Sequence, residues 1–108
     1  MDSQAPLTSQ EEDVRLAGEA ERGVRARAMI ESAIFREVLE AIEEATIHKF
    51  KTAPVRDAEG MLALRLKWQI LQEIRGYLTD VANTGKLAEA QIEQKAELAK
   101  RKRAADRR

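Results

Sequence analysis

The residues of this chain that could do chemistry are few, and their spacing does not assemble a catalytic site. His48 is the only histidine among 108 residues, and Glu44 lies one helical turn before it. One imidazole and one carboxylate supply too few ligands for zinc, and Ala45 stands where a ferritin-type helix would carry the glutamate of its Glu-x-x-His motif. We therefore expect no metal here and interpret His48 as a surface residue paired with Glu44.

Two carboxylates, Asp57 and Glu59, lie close together after Pro54. Paired carboxylates transfer protons from a concave pocket that shifts a pKa, whereas at a helix start they cap the backbone and complement its dipole. The segment 83–86 (NTGK) lacks the first glycine and the preceding strand of a phosphate-binding loop. With no cysteine and no paired nucleophile and base, the sequence predicts no catalytic residue, no cofactor and no enzymatic activity.

The composition is typical of a protein built from long helices. Hydrophobic residues make up 44% of the chain and charged residues 35%, but aromatic residues only 4%, a balance that favours helices over a thick globular core. Two long helices leave little material to cover their apolar faces. We therefore expect a homo-oligomer, or a protein partner, to bury part of that surface.

The predicted fold is all-α, with an antiparallel two-helix hairpin at residues 24–85. A weak acidic helix precedes it within a partly disordered arm at residues 1–23, and a basic helix or tail follows at residues 86–108. Two capping boxes could start the first helix, one at Thr8 with Glu11 and the other in the next register, at Ser9 with Glu12.

The first hairpin helix is predicted at residues 24–51 and the second from Ala58 to about Asn83. Lys51-Thr52-Ala53-Pro54 breaks the chain between them, since proline disfavours helical geometry in the preceding residue. Asp57 is the predicted N-cap of the second helix, and Gly85 is predicted to end it in a left-handed conformation.

Each hairpin helix has an apolar face at steps of three and four residues. The first helix carries its main stripe and three flanking residues at Ile30, Ile34, Val38, Ala41, Ile42 and Ala45, with Phe35, Leu39 and Phe50 beside them. The second has a coiled-coil type of seam, predicted at Leu64, Leu71 and Leu78 and completed by Ile70, Ile74, Tyr77 and Val81.

Trp68 lies at the edge of this seam and has two interpretations. It is either a packing residue of the hairpin or an anchor for a partner, since tryptophan and arginine dominate binding hot spots. The interface candidates that follow from the seam are Leu64, Trp68, Leu71, Arg75 and Leu78.

Charge is distributed unevenly although the net charge is zero. Residues 1–23 carry six acids and two bases, and residues 86–108 carry eight bases and four acids. A basic run of this kind suits phosphate contacts that do not read sequence, or it pairs with the acidic arm of a neighbouring copy. The nucleic-acid candidates are Lys100, Arg101, Lys102, Arg103, Arg107 and Arg108.

Thr52, Pro54, Arg56-Asp57, Trp68 and the stretch 84–88 (TGKLA) together resemble a small family of phage-encoded helical proteins. In that family one helix ends at a turn with threonine and an Arg-Asp/Glu pair, and the next carries an aromatic residue and closes on a TG(K/R)(L/M)A stop. The similarity covers about residues 30–90. Phe50 replaces the family's tryptophan before the turn, and Lys67-Trp68 replaces a Leu-Trp pair.

The resemblance implies a setting in virion assembly and DNA packaging. We therefore expect a non-enzymatic, self-associating interaction protein, cytoplasmic in a bacterial host or associated with the virion. One alternative is a nucleic-acid-binding accessory protein similar to a small terminase subunit, and another is an inhibitor of a host protein or a sponge for a small anionic signal. With no apolar run near the ~20 residues that span a bilayer and no basic leader at the N-terminus, we expect no membrane contact.

Overall fold

A computed structural model describes residues 6–107, and all regular structure in that range is α-helix. Three helices follow one another: α1 at Ser9–Glu31, α2 at Ala33–Thr52 and α3 at Ala58–Asp106. The all-α class is therefore confirmed, but the helix count and two of the predicted boundaries are different. No helix in the described range is long and apolar enough to cross a membrane.

The start of α1 uses one of the two predicted capping boxes. The backbone N–H of Glu11 donates to Oγ1 of Thr8 over 3.1 Å, and the Thr8 N–H donates to Oε2 of Glu11 over 3.3 Å. The helix is longer than the weak arm expected, because it continues through both of its glycines to Glu31. Disorder was predicted at residues 1–8, of which residues 1–5 lie outside the described residues.

A break at Ser32 divides the helix that was predicted at residues 24–51. Ser32 has an extended backbone with φ −65° and ψ 120°, and its hydroxyl accepts a hydrogen bond from the N–H of Phe35 over 3.4 Å. The serine therefore acts as the N-cap of α2. The prediction of a single helix was wrong because the apolar periodicity continues across Ser32. The Ser32 hydroxyl bonds a backbone N–H and so favours a helix start at this position.

The start of α3 agrees with the prediction. Its end does not, because α3 continues beyond Gly85. Oδ1 of Asp57 accepts from the N–H of Gly60 over 2.9 Å, which is the predicted N-cap. No glycine in residues 6–107 has a positive φ, and α3 runs through Gly85 to Asp106. The predicted left-handed stop was wrong, and the reason for the glycine is a close helix contact.

That contact belongs to the terminal unit, the compact unit formed by residues 6–25 and 81–107. A Cβ placed on Gly85 would lie 2.5 Å from the Gly23 Cα, so the two backbones touch where any larger residue would collide. Further along, Lys95 pairs with Glu12 and Asp13, which makes the two helical segments antiparallel. Leu16 and Ala88 are each 1% exposed and form the centre of this unit's core.

The hairpin unit is the second compact unit and comprises residues 26–80. It contains the end of α1, all of α2 and the first part of α3, and so includes the two-helix hairpin that the sequence predicted. Leu39 of α2 and Leu71 of α3 are buried in it. Thr46 is also buried, and its hydroxyl donates to the carbonyl oxygen of Ile42 over 2.7 Å, so burying it leaves no unpaired hydroxyl.

Candidate interaction surfaces

The five interface candidates of α3 form its inner seam, the row of residues that faces α2 within the hairpin unit. Leu71 is 5% exposed, and the other two leucines, Leu64 and Leu78, are half-buried. Trp68 keeps 43% of its surface and lies at the open end of the row. The structure thus directs most of these side chains to packing within the chain and leaves Trp68 accessible to a partner.

Arg75 interrupts this apolar row with an ion pair. One of its terminal nitrogens lies 2.8 Å from Oε2 of Glu43 on α2, and both side chains are partly exposed. The Arg75 Nε is buried and has no hydrogen-bond partner in the described structure. Because Arg75 is paired at one nitrogen and unsatisfied at another, we expect it to contribute more to the alignment of α2 and α3 than to their stability.

A cleft of about 700 Å³ opens between α2 and α3 near the turn. Its walls are apolar and aromatic, with one threonine and two cations, and consist of Thr46, Ile47, Phe50, Lys51, Met61, Leu62, Leu64, Arg65 and Trp68. No acidic residue lines it, and neither Lys51 nor Arg65 forms an ion pair within residues 6–107. Volumes of this size and largely apolar walls are typical of binding sites.

The outer stripe of α3 is a second apolar surface, which lies beside the inner seam. Ile70 and Tyr77 are 55% and 64% exposed, and they line a groove of about 440 Å³ together with Met29 and Phe35. We define the outer stripe by its five residues, Ala63, Leu66, Ile70, Ile74 and Tyr77, all of which are exposed.

The sequence-based seam had included part of this stripe, and that assignment was wrong. Ile70, Ile74 and Tyr77 lie outside the packed row, and Val81 falls in the terminal unit. The main stripe of α2 was also shifted by one residue, because Leu39 is buried while its neighbour Val38 is exposed. A helix that is apolar around most of its circumference carries two stripes, and periodicity alone does not say which one the chain itself covers.

The basic end of α3 is helical and exposed. Lys100 and Arg103 are three residues apart and lie on one side of the helix, and Arg107 follows in the turn after the last residue of α3. Arg101 is 3.8 Å from Glu97 in a pair one turn apart. Lys102 is also exposed, and Arg108 lies outside the described residues.

The acidic and basic ends of the chain meet within the terminal unit, through Lys95. Its Nζ lies 3.1 Å from Oδ1 of Asp13 and 3.3 Å from Oε1 of Glu12. The hydrogen bond to Asp13 is the main cause of a raised pKa for Lys95, with Glu12 adding to it and partial desolvation opposing it. Pairing of the acidic arm with the tail of a neighbouring copy was one of the two alternatives that the sequence left open, and neither of them included Lys95.

The residues considered first for chemistry have structural roles or none. Asp57 caps α3, as described above. His48 is exposed, and no ion pair joins it to Glu44 in the described part of the chain, so the pairing predicted between them was wrong. Within residues 6–107 no three acidic or histidine side chains come close enough together to hold a metal ion.

Comparisons of the chain with protein-family models, curated proteins and solved structures gave no match.

Proposed function

We propose that this protein is a non-enzymatic helical interaction protein that self-associates and takes part in virion assembly or genome packaging, in the bacterial host's cytoplasm or in the virion. The observation that carries self-association is the outer stripe of α3. Contiguous exposed apolar side chains of this kind mark interaction surfaces, whereas scattered single ones do not. The assembly setting is supported by the similarity of the Thr52 turn and the Trp68 helix to phage-encoded helical proteins.

Light scattering across a dilution series tests self-association. We expect a mass above the 12.2 kDa of one chain at micromolar concentration, falling towards it on dilution. Ile70→Ser should shift the protein to monomer, because it removes the centre of the stripe. Val55→Ser is the matched control, since Val55 is 95% exposed but stands alone in the turn. A monomer at every concentration would rule out self-association.

The cleft near the turn supports a second part of the proposal, the binding of a partner segment that combines apolar and acidic side chains. Trp68 and Phe50 supply accessible aromatic surface, and aromatic residues are enriched among binding hot spots. Lys51 and Arg65 supply positive charge without an intramolecular carboxylate, so a carboxylate entering with the segment would gain charge-assisted hydrogen bonds.

The dye 8-anilinonaphthalene-1-sulfonate is a suitable probe of the cleft, because it joins an aromatic body to an anion. Its binding can be followed by energy transfer from Trp68, the only tryptophan. We expect Arg65→Gln to weaken binding of this dye while leaving binding of the neutral analogue N-phenyl-1-naphthylamine unchanged. Arg56→Gln, an exposed cation outside the cleft, is the control. Equal affinities in all three proteins would show that the cleft does not select anions.

Nucleic-acid binding by the basic end of the chain is a second candidate function, favoured by the exposed cations Lys100, Arg103 and Arg107. These side chains offer phosphate contacts, and no aromatic residue lies beside them to stack on bases. Deleting residues 100–108 should therefore abolish most DNA binding and flatten its salt dependence, as measured by anisotropy at two salt concentrations. Failure of the intact protein to bind DNA at low salt would end this candidate.

A further inference from the structure

The last part of α3 extends beyond the helix that pairs with it in the terminal unit. α1 begins at Ser9, and Ser9 lines a groove together with Lys95 and Leu98 of α3, so the pairing ends near these residues. Every residue from position 96 to position 107 is exposed. We define the basic arm as residues 99–107, a stretch in which no side chain is buried.

The basic arm consists almost entirely of cations and alanines. Its nine residues are five cations, three alanines and one aspartate. Arg101 lies 3.8 Å from Glu97, one turn before it on the same helix. Lys100, Lys102 and Arg103 form no ion pair within residues 6–107. Most of the positive charge of the arm is therefore available to an anion outside the chain.

The cations of the arm are distributed around the helix and not along one face. Successive residues of an α-helix are turned by about 100° from one another. Lys100 and Arg103 therefore share one side, whereas Lys102 is turned by about 200° from Lys100. An anionic surface that contacts only one side of the helix would leave some of these charges in water.

Double-stranded DNA is the polyanion whose shape fits a helix charged on opposite sides. Its major groove is about 12 Å wide and admits an α-helix about 10–12 Å across, with a phosphate backbone along each wall. The major groove of an RNA duplex is too narrow for this. A lipid surface suits a helix with an apolar face, and the arm has no apolar side chain larger than alanine.

We propose that the basic arm binds double-stranded DNA by lying as a helix in the major groove, with cations on its opposite sides contacting the two phosphate backbones. This rests on the nucleic-acid binding put forward above as a second candidate function, and it adds the form of the ligand and the geometry of the contact. Phosphate contacts do not read base sequence, so the site takes duplex DNA of any sequence. The helical spacing of the cations matters as much as their number.

Single charge removals test the two-sided contact. Binding to a short DNA duplex is measured by fluorescence anisotropy over a series of salt concentrations. Lys100→Gln and Lys102→Gln should each reduce the slope of log affinity against log salt by about 1, since each removes one phosphate contact. Lys86→Gln, an exposed cation outside the arm, is the control and should keep the wild-type slope. A slope that changes in only one of the two arm variants would show a one-sided contact and overturn the inference.

A proline substitution tests the helix without changing any charge. Ala104→Pro removes a backbone hydrogen bond and clashes with the Lys100 carbonyl group, in the turn that carries four of the cations. It should weaken duplex binding about tenfold, whereas Ala104→Ser, the matched control, should bind like wild type. Both variants should keep the wild-type melting temperature, because Ala104 is exposed. Equal duplex binding by the two variants would show that the arm acts as a flexible polycation and would overturn the helical contact.

A comparison of three nucleic acids separates this inference from the candidate function on which it rests. The DNA duplex, one of its single strands and an RNA duplex of the same sequence are compared at one salt concentration. The RNA duplex is decisive, because it carries as many phosphates as the DNA duplex. Tighter binding of the DNA duplex than of both others would support the groove contact. Equal or weaker binding of the DNA duplex would overturn it and leave nucleic-acid binding standing, and no binding to any of the three would remove both.

Discussion

In the terminal unit two helical segments meet backbone to backbone through Gly23 and Gly85, whereas the core of the hairpin unit is built from large side chains, with Leu39 and Leu71 buried. Glycine contact permits a very close approach and needs little apolar surface. In the hairpin unit large side chains are buried, and a cleft of about 700 Å³ remains open beside Trp68.

The difference shows how one kind of secondary structure can serve two purposes. A backbone contact is specific because every side chain larger than hydrogen is excluded from it, so the terminal unit specifies a pairing of segments far apart in the sequence. The hairpin unit gains its stability from large side chains and cannot cover all of them, so it leaves apolar surface for partners. The terminal unit depends on the absence of side chains at Gly23 and Gly85, and the hairpin unit depends on the burial of large side chains.

The largest effect should come from truncating the hairpin core. Leu71→Ala should lower the free energy of unfolding by about 2–5 kcal/mol, since Leu71 is 5% exposed and the cavity would be only partly refilled. Leu78→Ala should cost less because Leu78 is half-buried. Leu62→Ala, at an exposed position, is the control for both. Equal chemical-denaturation midpoints for the Leu71 and Leu62 variants would mean that the hairpin does not depend on its inner seam.

The next effect tests the glycine contact. Gly85→Ala should cost about 1–3 kcal/mol by overpacking, and Gly85→Val more, because the new Cβ would lie 2.5 Å from the Gly23 Cα and 3.0 Å from the Glu19 carbonyl oxygen. Gly76→Ala is the matched control, with no atom within 4 Å of its added Cβ, and should stabilise α3 by about 0.5–1 kcal/mol. Thermal unfolding measures both. A tolerated Gly85→Ala would show that the segments are further apart than described.

Substitutions of Arg75 should have a smaller effect on the stability of the hairpin unit. They test whether Arg75 aligns α2 and α3 without contributing much to stability. Arg75→Met should be nearly neutral, because it removes an unsatisfied Nε and a partly exposed ion pair while keeping the packing of the aliphatic stem. Arg75→Ala should cost about 1–2 kcal/mol, since it also removes that packing. A large loss in Arg75→Met, with Glu43→Gln equally damaging, would instead make the ion pair a main source of hairpin stability.

The smallest effect concerns pH and the terminal unit. The pKa of Lys95 is raised in the folded chain, chiefly by its hydrogen bond to Asp13. The folded state therefore holds this proton more tightly than the unfolded state, so the stabilisation is complete below the ordinary lysine pKa of 10.5 and is lost as pH rises through the higher folded value. The melting temperature of wild type should fall slightly more than that of Lys95→Gln between pH 10 and 12. Lys86→Gln, an exposed lysine, should behave like wild type.

Several local features could be predicted because their cause is local. The cap at Asp57 follows from a short acidic side chain just after a proline-containing turn, and the capping box at Thr8 from a glutamate three residues later. The leucine positions of the inner seam follow from heptad spacing. The candidate surfaces could be predicted only in part, since the same helix offers two apolar stripes.

The sequence by itself therefore determined the helical class, the hairpin turn and the set of residues able to form a seam, because spacing and backbone preference act over a few residues. Only the tertiary structure decided that Gly85 lies inside α3, that Ser32 divides the preceding helix and that Ile70 and Tyr77 face outwards. Glycine is favoured both at a helix stop and at a close helix crossing, and the choice between them depends on a residue 62 positions away, Gly23. Which apolar stripe of α3 is covered likewise depends on where α2 lies, and the spacing of residues within α3 does not determine the position of α2.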